Sequence, residues 1–188
     1  DNGEVIGTTM TSEYSEATEY LCDDPTPKLY GGFGTSFNFY NFDISAAFTY
    51  SIGGLTYDSG YASYMSPPGG TVGSNFHRDV LKAWTPENKD SDVPRFVYQD
   101  QNINASSDRF LVPASYLNFQ NAQVGYTIPS NITSKIKVDR VRVYVACDNI
   151  WYCSYRHGLD PRSSFSGGTN YASNSPVRTI TGGINIIF

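Results

Sequence analysis

The side chains best suited to covalent chemistry are few in this sequence and stand far apart. The chain contains two histidines, His77 and His157, and both fall in stretches that read as loops. A solitary loop histidine is usually solvated, and a catalytic one needs a nucleophile or a carboxylate beside it. The GxSxG, HExxH and Walker patterns are absent. The sequence therefore predicts no catalytic residue and no cofactor, and the chain is not expected to be an enzyme.

Residue types that bind metals give no stronger signal. Asp23–Asp24 and the stretch from Asp90 to Asp92 place carboxylates in loops, where calcium is conceivable and simple solvation is favoured. The cysteines show no CxxC or Cys/His zinc spacing; they are Cys22, Cys147 and Cys153. A local disulfide between Cys147 and Cys153 is conceivable, and free thiols are the favoured interpretation. No metal site is predicted.

Two long irregular segments, at about residues 54–113 and 151–176, are rich in aromatic side chains. Rings with polar edges suit stacking on sugars, and the same rings can pack the loops or contact a covering protein. The candidates for substrate or lid contact are Tyr57, Tyr61, Tyr64, Phe76, Trp151, Tyr152 and Tyr155. Within the first segment, Val80, Leu81 and Trp84 could form one face of a short helix that ends at Pro86.

The elements that would hold these segments are strands. Apolar and polar residues alternate from Phe42 to Ser51, and a similar run precedes the Tyr40–Asn41 pair, which predicts a hairpin over about residues 29–53. Two further strands are predicted within 114–150, with a change of phase near Asn121 that indicates a bulge. A last strand is predicted over 177–188. The fold class is therefore all-β, with about five antiparallel strands.

The same alternation fits two architectures. In a soluble sandwich the apolar face would meet a second sheet, as in a secreted glycan-binding module. In a large transmembrane β-barrel it would meet lipid, and short turns would alternate with long extracellular loops. The barrel would place in its wet lumen the polar-face residues Asp43, Thr49, Arg140, Arg142, Tyr144 and Asp148. Five strands cannot close such a barrel, so this interpretation requires more chain.

Five segments in series resemble one protein family. They are DDPTPKLYGGFGTSFNFYNFDISAAFTYSIGG, HRDVLKAWTPENKDSDVPRF, SDRFLVPASYLNFQNAQVGYTIP, RVRVYVACDNIWYCSYRHGLDPR and RTITGGINIIF. Together they are similar, over residues 23–188, to the C-terminal part of SusC/RagA-family TonB-dependent outer-membrane transporters. Cys147 and Cys153 depart from the family pattern. The resemblance implies that the plug domain and the remaining strands of the barrel are not in this chain.

The last residues also resemble the C-terminal assembly signal of outer-membrane barrels. That signal runs polar, any, Gly, two of any, apolar, any, aromatic, and its places are filled by Thr181, Gly183, Ile186 and Phe188. The resemblance implies that the barrel-assembly machinery reads this strand.

The resemblance also implies a function. The chain would belong to a nutrient importer in the outer membrane of a Gram-negative bacterium, taking up oligosaccharides or peptides. A SusD-like surface lipoprotein would act as a lid, and TonB would act through the plug and not through this segment. The lipid bilayer and the rest of the same barrel would surround the strands. Nucleic acid is not an expected partner, because the net charge is -5 and no basic stripe is present.

Overall fold

The computed structural model describes residues 11, 13–65, 73, 75–97, 105–163 and 176–188. The chain divides into two compact units, one of residues 1–23 and 58–111 and the other of residues 24–57 and 112–188. No helix among the described residues is both long enough and apolar enough to cross a membrane.

The second unit is built on a five-stranded antiparallel sheet. Its strands are β1 (Leu29–Phe39), β2 (Phe42–Ile52), β5 (Tyr116–Thr127), β6 (Arg140–Ser154) and β7 (Thr179–Ile187), and they lie in the order β1-β2-β5-β6-β7. The short strands β3 (Leu55–Tyr57) and β4 (Leu111–Pro113) form a separate pair. A short helix, α2 (Ser130–Thr133), and a 3-10 turn (Ser134–Ile136) connect β5 to β6. The all-β prediction is confirmed.

The first unit is small and mostly irregular. It contains helix α1 (Ser59–Met65) and the 3-10 helices Tyr14–Glu16, Arg78–Lys82 and Asp108–Phe110. Among its described residues, the buried apolar side chains are Ala62, Met65, Ala83 and Phe110. The helix predicted to carry Val80, Leu81 and Trp84 is shorter than expected. It ends at Lys82, because Ala83 adopts an extended conformation (φ -51°, ψ 151°), and Trp84 lies beyond it.

Side chains of the five-stranded sheet divide into an apolar face and a polar face. On the apolar face, the rings of Phe33, Phe48 and Phe119 stack across three strands, with centroids 5.0 and 4.4 Å apart and planes within 11°. Phe37 on β1 is 58% exposed and Ile184 on β7 is 63% exposed. A soluble sheet would bury such side chains against a second layer. No second layer covers this face among the residues that the structure describes.

A bulge in β5 keeps the two faces separate. Phe119 pairs with Phe48 and Asn121 pairs with Ala47, so that Gln120 is the extra residue. The bulge lies where the change of phase in the sequence predicts it. Because of it, Phe119 and Ala122 share the apolar face although their numbers differ in parity.

Aromatic rings also gather at the end of the sheet that holds the tight turn. The ring of Phe39 meets Tyr40 edge-on at 4.5 Å, and the rings of Phe42 and Tyr126 lie 4.7 Å apart. Tyr40 is 91% exposed and takes a left-handed conformation (φ 52°) in the turn. Such a band of rings at strand ends is typical of barrel strands at a membrane interface.

Strand β6 is longer than the sequence indicates. The loop expected from residue 151 begins only after Ser154, so that Trp151 and Tyr152 are strand residues. Their side chains therefore point to opposite faces of the sheet. Trp151 lies opposite Phe119 on the apolar face, and Tyr152 lies opposite Asn118 on the polar face.

If the apolar face meets lipid, an added charge should destabilise the protein more on the apolar face than on the polar face. Phe48→Arg in the full-length protein should lower the free energy of unfolding by about 2–4 kcal/mol, the cost of arginine on a lipid-facing site near the bilayer centre. Thr49→Arg should cost only about 1 kcal/mol, for the hydrogen bond that Asn118 donates to Thr49. Thermal unfolding in lipid vesicles measures both. Equal losses at the two positions would contradict the assignment of faces.

Candidate functional site

Two side-chain networks occupy the polar face of the sheet. The turn-end network comprises Asp43, Gly125, Arg142, Tyr144 and Gly183. The loop-end network comprises Thr49, Asn118, Tyr152, Asp160 and Arg162. Each network joins residues from at least three different strands or loops that are far apart in sequence.

The turn-end network is centred on an ion pair that spans β5. Arg142 on β6 donates from Nε to Oδ1 of Asp43 on β2 at 2.9 Å, and from Nη2 to Oδ2 of the same carboxylate. The side chains of Arg142 and Asp43 are 16% and 32% exposed. A bidentate guanidinium–carboxylate pair fixes both partners in one plane. The pair therefore ties β2 to β6 over the strand between them.

Gly125 makes this ion pair possible. It lies on β5 directly opposite Asp43 and opposite Tyr144. A Cβ atom at Gly125 would lie within about 2.6 Å of Oδ2 of Asp43 and would also collide with Arg142. Glycine inside a strand often marks such a close approach by another group.

The ring of Tyr144 covers a second glycine, on the last strand. Tyr144 pairs with Gly183, where a Cβ would meet the Cε1 and Oη atoms of the ring at 2.6 Å. The guanidinium of Arg142 stands 5.1 Å from the centre of the same ring. An aromatic ring on a strand glycine replaces the packing that the glycine lacks. Asp43, Arg142, Tyr144 and Gly183 thus form one continuous row from β2 to β7.

The loop-end network is centred on Asn118, which is 5% exposed. Its Nδ2 donates to Oγ1 of Thr49 at 3.2 Å, and its Oδ1 accepts from Nη1 of Arg162 at 3.0 Å. Arg162 also donates from Nε and Nη2 to the carboxylate of Asp160, at 2.8 and 2.6 Å. Its guanidinium lies 4.6 Å from the ring centre of Tyr152. The hydrogen bond to Asp160 raises the pKa of Arg162 above its ordinary value.

All six residues predicted to face the lumen lie on the polar face. Besides the members of the two networks, Arg140 donates from Nη2 to Oγ1 of Thr127 at 3.4 Å. Asp148 accepts from Nδ2 of Asn121 at 2.6 Å. That this face borders a lumen stays a prediction. No sequence pattern singles out Asn118, Asp160 and Arg162, whereas a glycine inside a strand pattern was the available signal for Gly125.

The aromatic candidates for substrate or lid contact have different surroundings. In the first unit, Tyr61 donates its hydroxyl to Oδ2 of Asp79 at 3.1 Å and meets the rings of His77 and Phe110 edge-on. Phe76 meets Phe96 edge-on at 5.3 Å. These contacts fit the packing interpretation for Tyr61 and Phe76. Three candidates are more exposed, at 45%, 52% and 63%, namely Tyr64, Trp151 and Tyr155. Tyr57 lies in β3 and Tyr152 in the loop-end network.

A disulfide between Cys147 and Cys153 is not formed. The two residues lie six positions apart on β6, which corresponds to about 20 Å along a strand, whereas bridged Cα atoms lie within about 7 Å. Both thiols are free, as is that of Cys22. Among the described residues, no group of histidine, cysteine and acidic side chains could hold a metal ion.

The residues of the predicted assembly signal all lie on or just after β7, at one edge of the sheet. Thr181 pairs with Ala146 and Ile186 pairs with Val141. Phe188, which follows the strand, is 90% exposed. Gly183 is the member with a visible steric role, because its lack of a Cβ leaves space for the Tyr144 ring.

The close packing of the Tyr144 ring on Gly183 predicts a mutation effect that depends on Tyr144. Gly183→Ala should lower the free energy of unfolding of the full-length protein by about 1–3 kcal/mol through overpacking against the ring. In a Tyr144→Ala background the same change should cost almost nothing, because the ring is gone. Gly182→Ala is the matched control, since a Cβ there meets only the Tyr144 carbonyl oxygen, at 4.0 Å. Thermal unfolding of the four variants checks the coupling, and additive losses would contradict it.

Known proteins are similar to this chain over nearly its whole length. The chain is 31% identical over 186 residues to TonB-dependent receptor P3 of Formosa agariphila, covering 94% of this chain and 18% of the receptor. It is 26% identical over 175 residues to TonB-dependent receptor P26 of the same organism, covering 87% of this chain and 17% of that receptor. The chain therefore spans less than a fifth of these relatives. No family model matches it.

Solved structures agree with these relatives. The RagAB peptide importer in its open-open state matches with a TM-score of 0.75 at 27% identity, over 95% of this chain and 19% of the importer chain. A second structure of the RagAB peptide transporter matches with a TM-score of 0.75 at 26% identity, over 94% of this chain and 19% of that chain. The resemblance to SusC/RagA-type transporters and the barrel-strand fold are thereby confirmed, and over nearly its whole length the chain is similar to part of TonB-dependent receptors.

Proposed function

We propose that these strands form part of the wall of an outer-membrane importer that takes up oligosaccharides or peptides in a Gram-negative bacterium. The similar proteins are receptors and a peptide importer, and none is named for an enzymatic activity. In this proposal the segment carries no covalent chemistry. It supplies a lipid-facing surface, a polar lining and the loops above them.

The observation that carries the proposal is the pair of unlike faces on one sheet. Phe37 and Ile184 are more than half exposed on one face, whereas the other face holds the Asp43–Arg142 ion pair. Lipid against the exposed apolar side chains and water against the face with the ion pair would satisfy both faces. A secreted sandwich, the other architecture that the sequence allows, would need a second sheet over the apolar face.

The lid and the energy source belong to the same proposal. A SusD-like lipoprotein would cover the extracellular end, with residues 54–113 and 151–176 as the loops that it meets. Tyr155, which follows β6 near that end and is 63% exposed, is our candidate for contact with the lid or the substrate. Trp151 is also exposed, but it lies on the apolar face, which in this proposal meets lipid. TonB would pull on the plug and would not touch these strands, and the remaining barrel would pair with β1 and β7.

Uptake by intact cells tests the proposal. Cells that carry the full-length gene should accumulate a labelled peptide or oligosaccharide from a panel, and cells without it should not. A protonophore should abolish that uptake, because the proposed drive is the proton gradient of the inner membrane. A gene for an outer-membrane porin, expressed in its place, is the control for passive entry. Uptake that persists with a protonophore, or that no panel member shows, would contradict the proposal.

The terminal ring predicts a separation between assembly and stability. Burial of a phenylalanine side chain contributes about 1.5–3 kcal/mol, which a large closed barrel can lose without unfolding. Deletion of Phe188 should therefore sharply lower the level of the full-length protein in the outer membrane, while the inserted molecules keep a near-normal thermal midpoint. Phe188→Tyr should restore the level, since an aromatic end is retained. A normal level after deletion would refute recognition of this ring by the assembly machinery.

A further inference from the structure

The connection between β5 and β6 is a folded turn with helical structure of its own. It spans residues 128–139 and contains α2 and the 3-10 turn Ser134–Ile136. Lys137 ends the helical stretch in a left-handed conformation (φ 56°), and the Val138 N–H donates to the Thr133 carbonyl at 3.2 Å. Thr133 is only 1% exposed. We call residues 128–139 the basic turn.

Hydrogen bonds fix both ends of the basic turn to the end of the sheet where the exposed rings gather. Just before it, the Thr127 N–H donates to the Asn41 carbonyl of the tight turn at 2.8 Å. At its other end, the Asp139 N–H donates to the Ile187 carbonyl at 2.9 Å. The basic turn therefore lies between the tight turn and the end of β7, beyond which Phe188 is 90% exposed.

The exposed side chains of the basic turn combine apolar groups with positive charge. Ile132 and Ile136 are 54% and 64% exposed. Lys135 and Lys137 are exposed too, and neither has an ion-pair partner among the residues that the structure describes. Two lysines and one acidic residue, Asp139, give this segment a net charge of +1, whereas the whole chain has a net charge of -5.

A membrane interface accommodates this combination of side chains. Apolar side chains enter the boundary between headgroups and acyl chains, while a lysine keeps its stem in that boundary and extends its charge to the headgroups. Lysines near an anionic lipid surface are attracted to it. Exposed rings such as those of Tyr40, Phe42 and Tyr126 lie at the same end of the sheet, and aromatic side chains are enriched at membrane interfaces.

We propose that the basic turn binds anionic phospholipid of the inner leaflet of the outer membrane. Ile132 and Ile136 enter the acyl boundary, and Lys135 and Lys137 contact the headgroup phosphates. This inference rests on the proposed function, because in the barrel wall this end of the sheet faces the periplasm, opposite the long loops. It goes beyond that function by assigning a lipid-binding site to the connection between β5 and β6.

Fluorescence quenching of the full-length receptor in phosphatidylcholine vesicles tests the insertion. Ile136→Cys or Ile132→Cys, in a receptor whose native cysteines are replaced by serine, is labelled with bimane. Lipids that carry a doxyl group near the headgroup should remove most of the fluorescence, and iodide in the water should remove little. Asn38→Cys is the matched control on the polar face at the same end of the sheet, and its label should give the reverse result. Phe39→Cys, on the apolar face, should be quenched by lipid.

The lipid preference at the same label tests the role of the lysines. Doxyl-phosphatidylglycerol and doxyl-phosphatidylcholine are compared at equal, low mole fraction. At low salt the anionic lipid should be enriched about fivefold around the label at position 136, the attraction expected from one lysine near anionic lipid, and added salt should reduce the enrichment.

Charge variants assign that preference to the basic turn. Lys135→Gln combined with Lys137→Gln should abolish the enrichment of phosphatidylglycerol around the label. The matched control is Lys28→Gln combined with Lys89→Gln, which removes the same charge from two exposed lysines outside the basic turn. The control should keep the enrichment, because those lysines do not adjoin the labelled position in the sequence.

The outcomes separate this inference from the proposed function. Quenching of the labels at positions 132 and 136 by iodide, or by neither reagent, would overturn the inference, and the second result would mean that another part of the protein covers the basic turn. Equal quenching by the two doxyl lipids would overturn the binding of anionic headgroups. In each case, lipid quenching at position 39 leaves the barrel wall standing, whereas its absence would count against the importer itself.

Discussion

The Asp43–Arg142 ion pair is the contact around which the polar face is arranged. It links β2 to β6 across β5, and it requires glycine at position 125 beneath it. The same arginine stands beside the ring of Tyr144, and that ring occupies the space above Gly183. Removal of one partner would leave a charge without its counterion on a partly covered surface, which costs more than the pair contributes. Four strands are therefore coupled through a single row of side chains.

Separation of the faces depends on the irregularities near the middle of the sheet. If β5 lacked its extra residue at Gln120, the half of the strand that contains Ala122 and Val124 would turn its apolar side chains to the polar face. β6 has a second irregularity, because two residues, Asn149 and Ile150, lie opposite the single residue Gln120. Asn149 takes a left-handed conformation (φ 51°) that asparagine tolerates better than most residues. The bulge at Gln120 places Asn118 on the polar face, where the loop-end network forms, and Tyr152 lies on that face with the preceding even-numbered residues of β6, such as Asp148.

Sequence periodicity was sufficient for the sheet and insufficient for its networks. The alternation from Phe42 to Ser51 predicts β2 and its faces, because strand geometry has a period of two. The end of β6 was missed because the irregularity at Asn149 and Ile150 interrupts the pattern before Trp151 and Tyr152. The contact between Asn118 and Arg162 joins residues 44 positions apart, and no local pattern specifies such a pair. The close approach of a side chain to Gly183 could have been inferred, since a glycine inside a strand signals close approach by a neighbouring group.

The length and composition of the two edge strands fit a sheet that is part of a closed barrel. β1 and β7 contain 11 and 9 residues and carry exposed apolar side chains such as Phe33 and Ile184. Long, regular, apolar edges invite uncontrolled pairing with other chains, and soluble proteins protect theirs with charges, prolines or bulges. Neither strand contains a charged residue or a proline. In a closed barrel both edges are paired and the apolar faces meet lipid, so the features that would be hazards in a free sheet become the ones that a membrane wall requires.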